Sequence, residues 1–173
     1  MTPDDANPQI AARLAELFGQ QRPTRWVTRE RPKIDRIACP WLIRRFIDRE
    51  AVFLFAPTAS VFDVARNEAA VAFDIPGARF SHAGEFCSFD AFLTQFGIAD
   101  DGLELLAPII RGADTDRHDL APQASGLHAV SIGLSLLYGE DLVLLEQGVI
   151  LYDALYAWAS EGRGERHAWN PGD

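Results

Sequence analysis

The stretch from Leu142 to Ala159 is apolar around most of a helical circumference and is broken only by Glu146, Gln147 and Asp153. A helix of that kind has almost no face to give to water. Other elements must be wrapped round it, so the chain has to be a helix-rich fold built on this segment. The polar interruptions argue against a membrane span, and no membrane association is expected. The helix before it carries a stripe of Leu127, Val130, Leu134 and Leu137. Gly126 and Gly133 lie on roughly the same face, where small residues let a partner helix come close. A homo-oligomer is one use of such a face.

Upstream of Pro122 the periodicity is mixed. Ile10, Leu14, Leu17 and Phe18 show helical spacing between Pro8 and Gly19. Arg25 to Arg29 reads as a short edge strand, Ile34 to Phe46 as a helix, Ala51 to Phe55 as a buried strand and Ser60 to Asn67 as a short helix. Val71 to Ile75 and Ala78 to Ser81 read as strands around a Pro76-Gly77 turn. Helices follow from Ser88 to Phe96 and from Gly102 to Arg111. The fold class expected is α+β: mostly helical, with a small mixed or antiparallel sheet from the middle of the chain. Residues 1–30 read as an N-terminal helical extension, 31–160 as the domain and 161–173 as a flexible tail.

The 173 residues suffice for one well-cored domain. Net charge is −9, from 16 Lys and Arg against 25 Asp and Glu. An acidic chain repels a phosphate backbone, so no direct nucleic-acid binding is expected; Glu30 and Asp35 dilute the local basic cluster of Arg25, Arg29, Arg31 and Lys33. The N-terminus reads as a polar start and an amphipathic helix, not a secretory signal, and the two cysteines, Cys39 and Cys87, fit a reducing compartment. A cytoplasmic location is expected.

Chemically suggestive residues gather in three segments. In Lys33 to Asp48, Cys39-Pro40 reads as a helix start. Leu42, Ile43, Phe46 and Ile47 share the core face, with Trp41, Arg44, Arg45 and Asp48 opposite. A thiol at a helix N-terminus close to arginines has a lowered pKa. The same geometry draws oxyanions, so Arg36, Arg44, Arg45 and Cys39 form an oxyanion-binding candidate. Residue types alone fit better a solvated face with an Arg44–Asp48 pair and a buried Cys39.

In Ser81 to Phe89, His82 and Glu85 follow a strand, and Gly84 permits a tight turn between them. An imidazole and a carboxylate so placed can hold a metal or orient a proton transfer, or make a surface hydrogen bond beside a buried Cys87. In Arg111 to Gln123, Asp114, Asp116, His118 and Asp119 crowd a loop between helices. The EF-hand pattern fails, because Asp119 stands where glycine is needed. Asp119 suits ordinary N-terminal capping. Asp114 and Asp116 follow a helix end, where negative charge needs a positive neighbour such as Arg111, Arg117 or a metal. On the last helix, Glu146 and Asp153 share one face, either its wet stripe or a polar lining. His128 reads as a core histidine.

These segments, KIDRIACPWLIRRFID, FDIPG, SHAGEFCSFDAF, RGADTDRHDLAPQASGL and LYDALYAW, resemble in order the C-terminal domain of ChrB-type chromate-resistance proteins. The resemblance runs from about Arg31 to Trp158. It implies a role in chromate resistance, with no catalytic mechanism attached. The expectation is a metal-binding domain that responds to or acts on chromate or a related oxyanion such as sulfate. First-choice ligands are His82, Glu85, Asp114 and Asp116, with Asp35, His118 and Glu146 as outer candidates. Mixed imidazole and carboxylate ligation suits zinc, iron or manganese. The alternative is a non-catalytic regulatory or protein-interaction module, with Trp41, Tyr152 and Tyr156 as aromatic anchors.

Overall fold

A computed structural model describes residues 8–164, so most of the stretch read as a tail lies outside the described residues. The first helix, α1 (Pro8–Phe18), buries Ile10 and Leu14 in the main core. Three strands follow among helices: β1 (Arg25–Arg29), β2 (Val52–Ala56) and β3 (Val71–Ala72). Their order is β2-β1-β3, and both pairings are parallel. The mixed or antiparallel sheet expected from the sequence is therefore corrected. Each strand is separated from the next by a helix, α2 (Asp35–Leu42) and then α3 (Val61–Asn67), which brings the chain back to the same end before the next strand begins.

The supposed hairpin around Pro76-Gly77 breaks at Asp74, whose φ of 50° takes it out of the extended region. Beyond β3 there remains an isolated Phe73–Phe80 bridge and one bond from the Asp74 amide to the Phe80 carbonyl, 2.9 Å. β1 is also not an edge strand. It is central, with Trp26, Val27 and Thr28 all buried. Trp26, Phe53 and Phe73 turn one face of the sheet toward the main core. Val27 turns the other way, into a smaller cluster with Ala56, Val61 and Ile75.

Helix α2 begins at Asp35, not at Cys39, and runs into a π-helical turn from Ile43 to Ile47. Pro40 sits inside it and has no N–H for the carbonyl one turn back. The residue before the helix, Ile34, has a φ of 35°, a conformation that costs a β-branched side chain energy. Its carbonyl accepts a hydrogen bond from the buried Tyr152 hydroxyl, 3.0 Å, on the last helix.

The remaining helices are α4 (Ser88–Phe96), α5 (Asp101–Asp114), α6 (Ala124–Leu137) and α7 (Asp141–Ala157). Helix α7 crosses α2 closely: a Cβ on Gly148 would meet Ile37 Cγ2 at 2.5 Å. Its Leu144, Leu145, Gly148 and Tyr152 are buried, but Leu142, Val143 and Ile150 stay exposed. The helix is thus central on one side only. Continued to Gly162 it is long and apolar enough, by length and composition, to cross a membrane. In this fold its polar residues Glu146 and Asp153 are paired with Arg44 and Arg45. The apolar stripe of α6 also divides, with Leu127 buried and Val130 and Leu137 exposed. Space beside Gly126 and Gly133 is open.

Candidate metal centre

Four separate parts of the chain meet beside the C-terminal end of α5. Asp35 comes from the first turn of α2, Asp74 from the bend after β3, His82 from the loop before α4, and Asp114 from the last residue of α5. Each backbone has a local reason to present its side chain there. Asp35 accepts the Ser88 amide at 2.5 Å and the Phe89 amide at 3.4 Å through Oδ2, so it satisfies donors left free at the start of α4. Asp74 Oδ1 accepts the Ser88 hydroxyl at 2.7 Å, which ties the same helix start to the sheet. The Asp35 amide reaches Asp114 Oδ1 at 3.4 Å.

His82 Nε2 is 3.0 Å from Asp114 Oδ2, 3.4 Å from Asp74 Oδ1 and 3.6 Å from Asp35 Oδ2. Asp35 is 1% exposed and Asp74 4%, whereas the His82 side chain is open to the cleft. Arg29 Nη2 lies 2.9 Å and Arg36 Nε 3.4 Å from Asp74 Oδ2. The cleft has a volume of about 350 Å³, and Lys33, Asp116 and His128 also line it. Asp35 Oδ1 is buried and has no hydrogen-bonding partner among the described residues.

Protonation follows from this crowding. Hydrogen bonds to Asp114 and then Asp74 lift His82 from 6.5 to about 10, against the opposing effect of burial. Burial, with Asp114 and Asp74 nearby, pushes Asp35 well above the usual carboxylate range. Burial alone would raise Asp74 too, but hydrogen bonds from His82, Ser88 and Arg29 outweigh it and hold Asp74 low. Burial and the neighbouring Arg29 lower Arg36. His82, Arg29 and Arg36 therefore face Asp74 and Asp114 in a partly dry cleft, with Asp35 held toward its neutral acid.

Residues 26–159, which carry all of these groups, match the family described as ChrB, C-terminal domain. The chain belongs to this family. It is also 40% identical over 147 residues to Protein ChrB of Cupriavidus metallidurans. That alignment covers 83% of this chain and 43% of the relative, so the chain spans less than half of that protein's length. No solved structure matches. This is the family that the sequence resemblance named.

In this ChrB domain the expected ligands divide. His82 and Asp114 meet directly, and Asp35, read from the sequence as an outer candidate, joins them. Glu85 is exposed on the turn beyond His82 and is not in that group. Asp116 points instead to His118, with Nε2 3.6 Å from its Oδ1. Glu146 is away on α7, paired with Arg44 at 2.7 Å.

The expected oxyanion group also disperses. Only Arg36 lines the cleft. Arg44 pairs with Glu146 and not with Asp48, and Arg45 pairs with Asp153 at 2.8 Å. Cys39 lies in the middle of α2, fully buried, and burial pushes its thiol up, which corrects the expected lowered pKa. Cys87 is the N-cap of α4, yet burial and the adjacent Asp35 and Asp90 raise it as well. Neither thiol is a ready nucleophile or reductant. Trp41 and Tyr152 are 0% exposed and pack the core, and Tyr156 is half-buried against it.

Asp74, Arg29 and Ser88 were not singled out as site residues from the sequence. Asp74 carried a signal: a carboxylate between Phe73 and Ile75 has to be buried with partners if its neighbours are core. The positive charge expected beside Asp114 comes from His82. Arg111 makes a bidentate pair with Asp90 at 2.7 and 2.8 Å, and Arg117 pairs with Asp119.

Proposed function

We propose that this domain serves chromate resistance by binding a divalent cation at Asp35, His82 and Asp114, and that the loaded cleft takes a small oxyanion such as chromate or sulfate. One observation carries the reading. Two carboxylates and an imidazole bring ligand atoms within 4.8 Å of one another, and the most buried carboxylate keeps one oxygen without a partner. Asp74 holds the second layer, orienting His82 while Arg29, Arg36 and Ser88 hold it in turn. Imidazole with carboxylates favours zinc, iron or manganese. Nothing in the site supplies a redox partner, and the proposal includes no reaction.

The charges link the two ligands. In the metal-free cleft a protonated His82, with Arg29 and Arg36, faces the Asp74 and Asp114 carboxylates, and Asp35 is held toward its neutral acid. A metal ion must displace the His82 proton, because only neutral imidazole coordinates. A divalent ion that displaces the protons of both His82 and Asp35 gathers their charge at one point between Arg29 and Arg36, and a dianion is attracted there. The reduced, buried cysteines suit the cytoplasmic setting that goes with this reading.

Elemental analysis of protein purified without a tag or chelator should find one equivalent more bound metal than in the His82→Gln, Asp114→Asn double variant. Absence of stoichiometric metal, together with no binding on titration of zinc, manganese or iron(II), would sink the proposal. Sulfate titration with and without metal then tests the coupling. A second reading rests on the raised His82, in which the imidazolium stays and Arg29, Lys33 and Arg36 bind the anion directly. Equal sulfate affinity with and without metal favours it.

A further inference from the structure

We infer that the connection between α5 and α6 forms a second metal site, made by Asp116, His118 and His128, which takes a borderline transition ion such as zinc or cobalt(II). It is separate in ligands from the deep group of Asp35, His82 and Asp114 and does not rest on that group being occupied. His118 Nε2 stands 3.0 Å from His128 Nδ1, and the rings cross at 74° with centroids 5.1 Å apart. Asp116 Oδ1 is 3.6 Å from the same His118 nitrogen. All three ligand atoms lie within 4.8 Å of one another. Bonds of about 2.0–2.1 Å to an ion of tetrahedral geometry separate neighbouring ligand atoms by about 3.0–3.5 Å, so small side-chain adjustments suffice.

The ligands are held by a loop with little freedom. Gly112 on α5 lies so close beneath it that a Cβ there would be 2.8 Å from the Arg117 carbonyl oxygen. The Arg117 amide bonds the Gly112 carbonyl at 2.9 Å, and its guanidinium grips Asp119 at 3.0 and 3.1 Å. Asp116 takes a φ of 57°, a conformation that Asp accepts better than most residues. His128 is fixed by α6 and His118 by a short 3₁₀ turn. The bland account is a single hydrogen bond between two neutral imidazoles. It gives no role to Asp116, whose side chain is 85% exposed yet sits beside the pair. Three protein ligands leave at least one coordination position open, and Asp116 and His128 both line the cleft that His82 also faces. An ion here would add positive charge to the same cleft.

Cobalt(II) titration of the whole chain, followed by visible absorption and equilibrium dialysis, tests the inference. Three proteins are compared: wild type, His118→Ala with His128→Ala, and His82→Gln with Asp114→Asn. The His118, His128 variant should lose one equivalent of cobalt and its part of the d–d spectrum. The His82, Asp114 variant should keep that equivalent, whether or not the deep group binds metal. The inference is overturned if the His118, His128 variant binds as many equivalents as wild type with the same affinity, or if the His82, Asp114 variant binds none. Circular dichroism of the His118, His128 variant, whose changes lie at the surface, checks that the fold is retained.

Discussion

The Asp–His cleft and the arginine face of the π-helical turn after α2 were both read from the sequence as charged groups waiting for a ligand, and the fold treats them in opposite ways. At the cleft, carboxylates from α2, the β3 bend and α5 converge on one imidazole and are taken out of water together. On the arginine face, Arg44 and Arg45 each find one carboxylate on α7 and remain partly in solvent. Charges converging from several elements are hard to explain by solvation, because each one is desolvated at a cost of several kcal/mol unless paired. Charges facing a neighbouring helix need no such explanation.

The contrast can be broken most directly at Asp35. Asp35→Ala leaves the Ser88 and Phe89 amides without their acceptor and removes a buried carboxyl group from beside His82. A loss of about 3–5 kcal/mol in urea unfolding is expected. A loss as small as that of a surface residue would show that the cleft is not a coupled unit. Arg111→Ala is next. It strips the bidentate partner from Asp90, which is 7% exposed and also accepts the Cys87 amide. About 2 kcal/mol should be lost, read by the same unfolding curves.

The pH dependence of the metal-free protein sharpens the comparison. His82 is raised in the folded state from 6.5 to about 10, so folding favours its charged form. That contribution is complete below pH 6.5, declines as the pH rises, and is gone once the pH passes about 10. Thermal or urea unfolding should therefore show wild type exceeding His82→Gln by most near about pH 6, with the gap closing by about pH 10. A gap that widens with pH would remove the imidazolium from the network. The smallest effect belongs to the other face. Arg44→Ala and Arg45→Ala should each cost about 0–1 kcal/mol and leave sulfate binding unchanged. Weakened sulfate binding in either variant would move the anion to the turn after α2.

Periodicity marked most helices within a few residues, since an amphipathic repeat is local information. It also gave the helix from Ile34 to Phe46; what failed there was the proline signal, since Pro40 suggested a start and yet lies inside α2, which runs into a π turn. Periodicity failed for the sheet, because strand direction depends on which strands pair, and pairing is not local. At the site, His82 and Asp114 were legible as residues needing a partner, and Asp35 as a lesser candidate. Glu85 looked better than Asp35 because it is close to His82 in sequence, but the turn leaves it in water. Asp74 went unread because it falls inside the stretch read as a strand, and the bend that turns it into the cleft is not visible in local periodicity.

From sequence alone came the helix-rich class, the ChrB family and the three segments that contribute Asp35, His82 and Asp114, because composition, local periodicity and the order of short motifs are properties of the chain itself. Tertiary structure decided the all-parallel sheet, the burial that raises both thiols, and the meeting of Asp35, Asp74, His82 and Asp114. Each of these depends on which distant segments exclude water from one another, and that is settled only when the whole chain packs.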